Sequence, residues 1–353
     1  MEALWWHGKV KELTFNEKQK LPEPYDPEDV KIKVAYSGIC GSDFHYMKGE
    51  MGKFAAKDDG VILGHEFSGT VVGVGEKAAK RFKIGDRVCV DPNMCCKECS
   101  WWKKGCPHFC TTMKSVGVKA DGGWAQYSVV AENKVHKLPD VVSLKQGALA
   151  EPYSCVLRGW KHIEPLPPKD CKILVQGGGI IGILFCTVLH HNGYSNVTIS
   201  EPSEERRKLC SNSGFGFDVV HPQEILLKMA ANDMDQHGFE LIIDCTGNAS
   251  AVEKAFDLAC RGGKICVFGC CPAGKKISIE PFQIYWKELK IVGSFINPFC
   301  FVDTIPLLEN LANKGYLSYE KLGIKEFPLA DYKEAIDSLK SGNATKAVFK
   351  LNE

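Results

Sequence analysis

Three groups of residues in this chain have types and spacings suited to chemistry. In the first, Gly38-Ile39-Cys40-Gly41-Ser42-Asp43-Phe44-His45 is followed about twenty residues later by Gly64-His65-Glu66. A thiolate, an imidazole and a carboxylate from separate loops are ligand types that a catalytic zinc uses, with one position left for water or substrate. Taken singly, Cys40 reads as a core cysteine and His65 as a satisfied turn histidine. The combination, in glycine-flanked contexts, points to a metal.

In the second group, Lys172-Ile173-Leu174-Val175-Gln176 reads as a buried strand running into Gly177-Gly178-Gly179-Ile180-Ile181-Gly182 and an apolar helix. This is a G-x-G-x-x-G turn in the strand–turn–helix context it needs. Gly177, Gly179 and Gly182 permit the tight turn, backbone approach to a pyrophosphate, and packing of helix on strand. The helix N-terminus offers free N–H groups to phosphate. A second strand ends at Glu201, 24 residues after Gly177. A carboxylate there accepts both hydroxyls of an adenosine ribose and repels a 2′-phosphate, which favours NAD over NADP. The competing reading makes Glu201 a solvated strand-end acid and helix cap. Arg206, one turn into the next helix, either stacks on adenine or is a surface charge that tolerates NADP.

The third group is Cys95, Cys96, Cys99, Cys106 and Cys110, a dense cluster among 17 cysteines. An odd total cannot pair completely within the chain. The others sit largely in apolar runs, as buried thiols do in a reducing compartment. Without a secretory segment, the cluster reads as a metal site rather than a disulfide framework.

These groups need scaffolds. A length of 353 residues suits two domains of about 150 residues each. Lys and Arg number 44 against 43 Asp and Glu, a net charge of +1. That balance argues against a nucleic-acid or anionic-membrane partner, and against a nucleic-acid-binding zinc ribbon built from the cysteine cluster. No apolar window of about 18 residues exists to span a membrane. The N-terminal MEALWWHGKVKELTF has no apolar signal region, so a cytoplasmic protein is expected.

Along the first 140 or so residues, KIKVAYSG, EFSGTVVGVG, DRVCV and AQYSVV are short alternating runs, mostly closed by glycine, with few helical periods. They predict an irregular β-barrel. LPDVVSLKQGALAEPYSCVLRGW has helical spacing, and strands then alternate with helices, which predicts a parallel sheet buried on both faces. The terminal KAVFKL is expected to rejoin the first domain. The chain is thus an expected α/β protein with a catalytic domain over 1–150, completed by 298–353, and a dinucleotide-binding domain over 151–297.

GICGSDFH, GHEFSGTVVGVG, FKIGDRV, CKEC, GGWAQY and VQGGGIIG occur in one order along nearly the whole chain. In this the sequence resembles the zinc-dependent medium-chain dehydrogenases, whose fold is a GroES-like irregular β-barrel plus a Rossmann doubly wound sheet. Glu151-Pro152 after GALAEP is similar to the polyol branch, the sorbitol and arabinitol dehydrogenases; GSFINPF resembles bacterial and fungal sugar-alcohol and arabinitol dehydrogenases more than animal sorbitol dehydrogenase, and EPSEERRK also resembles zinc threonine dehydrogenases. The resemblance implies Cys40, His65 and Glu66 as catalytic-zinc ligands and Glu151 as an acid that approaches the metal directly or through water. It implies Ser42 and His45 as a proton relay, Gly177, Gly179, Gly182 and Glu201 as cofactor-binding residues, and Lys346 as a cofactor-phosphate ligand. Tyr46 is either a pocket residue or a packing aromatic.

The family's structural zinc uses C-x2-C-x2-C-x7-C. Cys96, Cys99 and Cys110 fit its first, second and fourth places, and Trp102 occupies the third. Three thiolates do not close a tetrahedral site. Cys106 is expected to swing in as fourth ligand, with Cys95 in reserve; the alternative is a metal-free lobe held by Trp101 and Trp102.

The implied activity is NAD-dependent oxidation of a polyol's secondary hydroxyl to the ketose, with zinc as Lewis acid, in a homodimer or homotetramer. A threonine-type amino-alcohol dehydrogenase would need a cation for the substrate carboxylate, and none is identifiable near Cys40 or Glu151. A non-enzymic NAD(P)-binding member would be expected to lose metal ligands and relay residues, all of which are present.

Overall fold

The alternation of half-exposed and buried side chains along Asp29–Gly38 makes that strand the spine of the first sheet. It pairs antiparallel with Phe67–Val74, with Tyr127–Ala131 and, at its end, with Lys346–Lys350. The computed structural model describes residues 1–24, 26–49, 60–230 and 237–352. Its first sheet has seven strands, and the last two in sequence, Ile324–Pro328 and Lys346–Lys350, are inserted beside the spine. Residues from the two ends of the chain therefore share one wall. A hairpin, Ala3–His7 with Glu12–Asn16, covers this region together with Val61–Ile62. The sequence reading did not anticipate that hairpin.

The second sheet has six parallel strands. Across it run Asp218–Val220, Val197–Ser200, Ile173–Gln176, Phe239–Asp244, Ala259–Val267 and Lys290–Gly293. In chain order that is 3-2-1-4-5-6, the doubly wound arrangement, whose crevice opens where the order reverses. The reversal lies between Ile173–Gln176 and Phe239–Asp244. Leu174, Val175, Ile242 and Ile243 have no exposed surface, as expected for strands covered on both faces. Helix Ile180–His191 is buried over most of its length because it lies between this sheet and the helix Ala150–His162.

The helical period over 138–160 resolves into Leu144–Gly147, capped by Ser143 and Gln146, and Ala150–His162. Helix Phe301–Asn313 packs on the latter through Phe301, Leu308 and Leu311. This puts the first turn of Ala150–His162, with Glu151, at the seam between the two sheets.

Candidate active site

Cys40 follows the strand Asp29–Gly38 and caps the helix Gly41–Lys48. Its N–H donates to Asp43 Oδ2 at 2.8 Å. The same carboxylate, fully buried, presents Oδ1 to His65 Nδ1 at 3.4 Å. His65 Nε2 then faces Ser42 Oγ at 3.3 Å beside a cavity of about 400 Å³. An imidazole held at one nitrogen by a carboxylate offers the other in a fixed direction. The sequence reading missed Asp43. Its signal was the spacing of a capping box, an acid three residues beyond the cap position.

Glu66 is buried, and its Oε2 is ion-paired with Lys346 Nζ. Lys346 is only 1% exposed and also donates to the Ile39 carbonyl at 3.2 Å. Gly38 makes room for this pair, since a Cβ there would collide with Glu66 Oε2 and the Lys346 side chain. The expectation for Lys346 as a cofactor-phosphate ligand is thereby corrected. Its ammonium is committed to Glu66 behind the Cys40 cluster, because a buried carboxylate needs a counter-charge more than a solvated phosphate does.

The sulfur of Cys40, a ring nitrogen of His65 and a carboxylate oxygen of Glu66 lie within 4.8 Å of one another. Zinc bonds of about 2.0–2.3 Å can span such a group. The electrostatics point the same way. Burial opposes charge on His65, but the Asp43 carboxylate and the Cys40 sulfur outweigh it and hold its pKa well above the ordinary imidazole value. Surroundings negative enough to keep a proton on a buried imidazole favour a divalent cation in its place. The donor set therefore fits zinc.

Glu151 lines the same cavity, and the Cys155 thiol donates to its Oε1 at 3.3 Å. Burial pushes the Glu151 carboxyl up to about 7, with His65 opposing and Glu66 adding to the rise. Ser42, His45 and Tyr46 stand in the cavity wall; burial raises the Tyr46 phenol to about 12, so it stays protonated near neutral pH. A hydrogen-bond chain absent from the sequence reading steadies this region. Asn93 Nδ2 donates to Asn297 Oδ1 (2.8 Å), Asn297 Nδ2 to Ser154 Oγ (2.6 Å), and Ser154 Oγ to the Glu151 carbonyl (2.5 Å).

Lys119 also lines the cavity. It is a cation of that wall which the sequence reading did not identify. Lys119 is remote from both Cys40 and Glu151 in sequence and reaches the wall only through the fold of the loop after Ser115.

Ile181, Thr246 and Phe268 close the opposite side of the cavity from the parallel sheet. A second cavity of about 440 Å³ shares Cys245 and Thr246 with the first and runs along the switch-point crevice. Gly177, Gly179, Glu201 and Arg206 line it. Gly177 has a φ of 97°, which favours glycine, and a Cβ on Gly182 would collide with the Gly177 carbonyl. A Cβ on Gly179 would meet nothing within 4 Å, which leaves the helix N-terminus open to the cavity. Glu201 accepts the N–H groups of Gly178 and Ser203, each at 2.8 Å, and is 4% exposed. It is thus a buried, fixed carboxylate rather than a solvated one. Arg206 donates to the Leu339 carbonyl at 3.4 Å from the edge of this cavity.

In the cysteine lobe, Cys96, Cys99 and Cys110 gather with their sulfurs within 4.8 Å of one another. Burial would raise the Cys110 thiol, but hydrogen bonds from Thr112 and Cys96 bring it down to about 6. Cys106 is not brought in: its thiol faces the Lys104 carbonyl at 3.7 Å. The expectation that it swings in as fourth ligand is corrected accordingly.

Residues 26–140 match the alcohol dehydrogenase GroES-like domain, and residues 181–313 match the zinc-binding dehydrogenase family. The chain is 30% identical over 340 residues to D-arabinitol dehydrogenase 1 of Uromyces fabae, covering 93% of this chain and 91% of that one. The chain belongs to the zinc-binding alcohol dehydrogenases. It is also 31% identical to the D-arabitol-phosphate dehydrogenase of Enterococcus avium over 336 residues, 94% of this chain and 92% of that protein. Among solved structures, an alcohol dehydrogenase of E. coli CFT073 complexed with NADH superposes with a TM-score of 0.82 at 26% identity, with 99% of each chain covered. As a member of this family the protein is an alcohol dehydrogenase with zinc and a nicotinamide dinucleotide as cofactors, on a GroES-like barrel joined to a Rossmann sheet. No helix among the described residues is long and apolar enough to cross a membrane.

Proposed function

We propose that this dehydrogenase oxidises a secondary hydroxyl of a sugar alcohol to the ketose while reducing NAD. The observation that carries the reading is the meeting of the two cavities at Cys245 and Thr246, with the Cys40 cluster in one and the glycine turn in the other. A carbinol carbon beside the cluster and a nicotinamide held from the turn would meet at that junction. Zinc held by Cys40, His65 and Glu66, with Glu151 as the further acid, supplies Lewis-acid polarisation of the substrate oxygen. The residues do the rest. Ser42 accepts the hydroxyl proton and His45 passes it outward. A bound nicotinamide would take the hydride from the same carbon, so that alcohol and NAD⁺ would become ketone, NADH and H⁺. Glu151, Tyr46 and Asn93 offer hydrogen bonds to the neighbouring hydroxyls of a polyol. The fixed Glu201 carboxylate supports NAD over NADP.

Lys119 favours a second reading, in which the substrate carries an anionic end, either the phosphate of a polyol phosphate or the carboxylate of threonine. Initial rates of NADH formation over ribitol, arabinitol, xylitol, sorbitol, their phosphates and threonine separate the readings. The expected result is turnover of a free polyol with NAD, and a Glu201→Ala variant that loses its preference over NADP. A rate confined to polyol phosphates or threonine would favour the second reading, and no reduction with any of them would contradict both.

All seventeen thiols are free, which supports a reducing, cytoplasmic setting. A homodimer or homotetramer is supported by exposed Phe282, Tyr285 and Trp286 near the edge strand Lys290–Gly293.

A further inference from the structure

The thiols of Cys96, Cys99 and Cys110 lie close enough for one ion, but Trp102 stands where the C-x2-C-x2-C-x7-C spacing has its third cysteine. The Trp102 backbone N–H donates to Cys99 Sγ at 3.4 Å, so position 102 does abut the sulfur group. Its indole turns instead toward Phe299, with ring centroids 6.3 Å apart. Cys106 faces the Lys104 carbonyl, and neither it nor Cys95 belongs to the gathered group. Within the group, the Cys99 N–H donates to Cys96 Sγ at 3.3 Å, and Cys96 and Cys110 sulfurs are 3.5 Å apart. Cys96 and Cys99 are partly exposed.

We propose that the lobe binds a thiophilic divalent cation of the zinc and cadmium class through Cys96, Cys99 and Cys110 alone, with the fourth coordination position open to solvent or a small soft ligand. Three thiolates on a divalent ion leave a single negative charge. Two backbone N–H groups donate to the sulfurs, and Lys97, Lys103 and Lys104 belong to the same short stretch. A four-thiolate structural site is closed and holds its ion as part of the fold. A three-thiolate site admits an incoming ligand at the vacant position, so its ion exchanges. The inference concerns a site separate from the catalytic cavity and does not depend on which alcohol is oxidised.

The test uses the full chain, reduced and stripped of metal, then titrated with Cd²⁺. Free thiols are alkylated and mapped by peptide mass spectrometry. Expected is joint protection of Cys96, Cys99 and Cys110, with Cys95 and Cys106 still alkylated. The same map should follow from Cys95→Ser and from Cys106→Ser. Trp102→Cys should add a fourth protected thiol and slow the release of Cd²⁺ to a chelator. Protection of Cys95 or Cys106 with the other three would overturn the proposal. So would full alkylation of the three at Cd²⁺ concentrations that protect Cys40, whose peptide is read separately. If Trp102→Cys does not fold, the parent map and the Cys106→Ser map decide the matter.

Discussion

Cys40, His65 and Glu66 come from two separate loops of the barrel, whereas Cys96, Cys99 and Cys110 come from one short stretch of chain. The first group is backed by side chains that are themselves buried. Asp43 holds His65, Lys346 holds Glu66, and Glu151 approaches from the other side of the seam. The second group is backed by main-chain N–H groups, with Cys96 and Cys99 partly exposed and Cys110 buried. A donor set built from distant segments exists only when the first sheet has brought them together, and its supporting charges are costly to disturb. A donor set built from one loop can form locally and tolerate the loss of a ligand. The difference teaches that similar donor chemistry serves a fixed reacting centre in one place and an adaptable one in the other.

The largest expected break in this contrast is at Lys346. Lys346→Met leaves the Glu66 carboxylate buried without its counter-charge, and the expected loss of folding stability is about 3–5 kcal/mol. Chemical denaturation measures it, and adding Glu66→Gln should recover much of the loss. A change under about 1 kcal/mol would rank the pair with exposed ion pairs and remove this distinction between the clusters. Next is Asp43→Asn, which keeps the cap's shape but removes the charge behind His65. Metal affinity at the Cys40 cluster, followed by titration of stripped protein, should fall about 10–100-fold while the fold persists. An unchanged affinity would mean that His65 is positioned by packing alone. The smallest effect on chemistry belongs to Cys110→Ser. It should remove the lobe's ion from a metal count and leave turnover near the parent value; a collapse of turnover would tie the lobe to the reacting centre.

Legibility in the sequence followed the range of the interactions. The turn Gly177–Gly182 and the strands of the parallel sheet were readable because backbone conformation and two-sided burial act on adjacent residues. The ligand types at Cys40, His65 and Glu66 were readable from their glycine-flanked contexts, and their roles from the resemblance. Asp43 and Lys346 were not, since their meaning is set by partners folded onto them. Asp43 carries the generic signature of a helix cap. Lys346 lies hundreds of positions from Glu66, and only the insertion of the last strand beside Asp29–Gly38 joins them. Lys119 was hidden for the same reason. The Cys106 expectation failed for the opposite one: proximity in sequence suggested a ligand, but the turn at Lys104–Cys106 points the thiol to a carbonyl. The hairpin Ala3–His7 with Glu12–Asn16 was overlooked because its burial is shared with Val61–Ile62 from a remote segment.

The most direct test of the account is a paired measurement on Cys40→Ser. Polyol-dependent NADH formation reports the reacting centre, and fluorescence titration with NADH reports the glycine-turn cavity. The account predicts loss of the active-site metal and of turnover, with NADH affinity kept at the parent value, because the two groups stand on different sheets. Turnover near that of the parent protein would contradict the assignment of the Cys40 cluster as the metal centre, and loss of NADH binding in a folded variant would contradict the separation of the two sites.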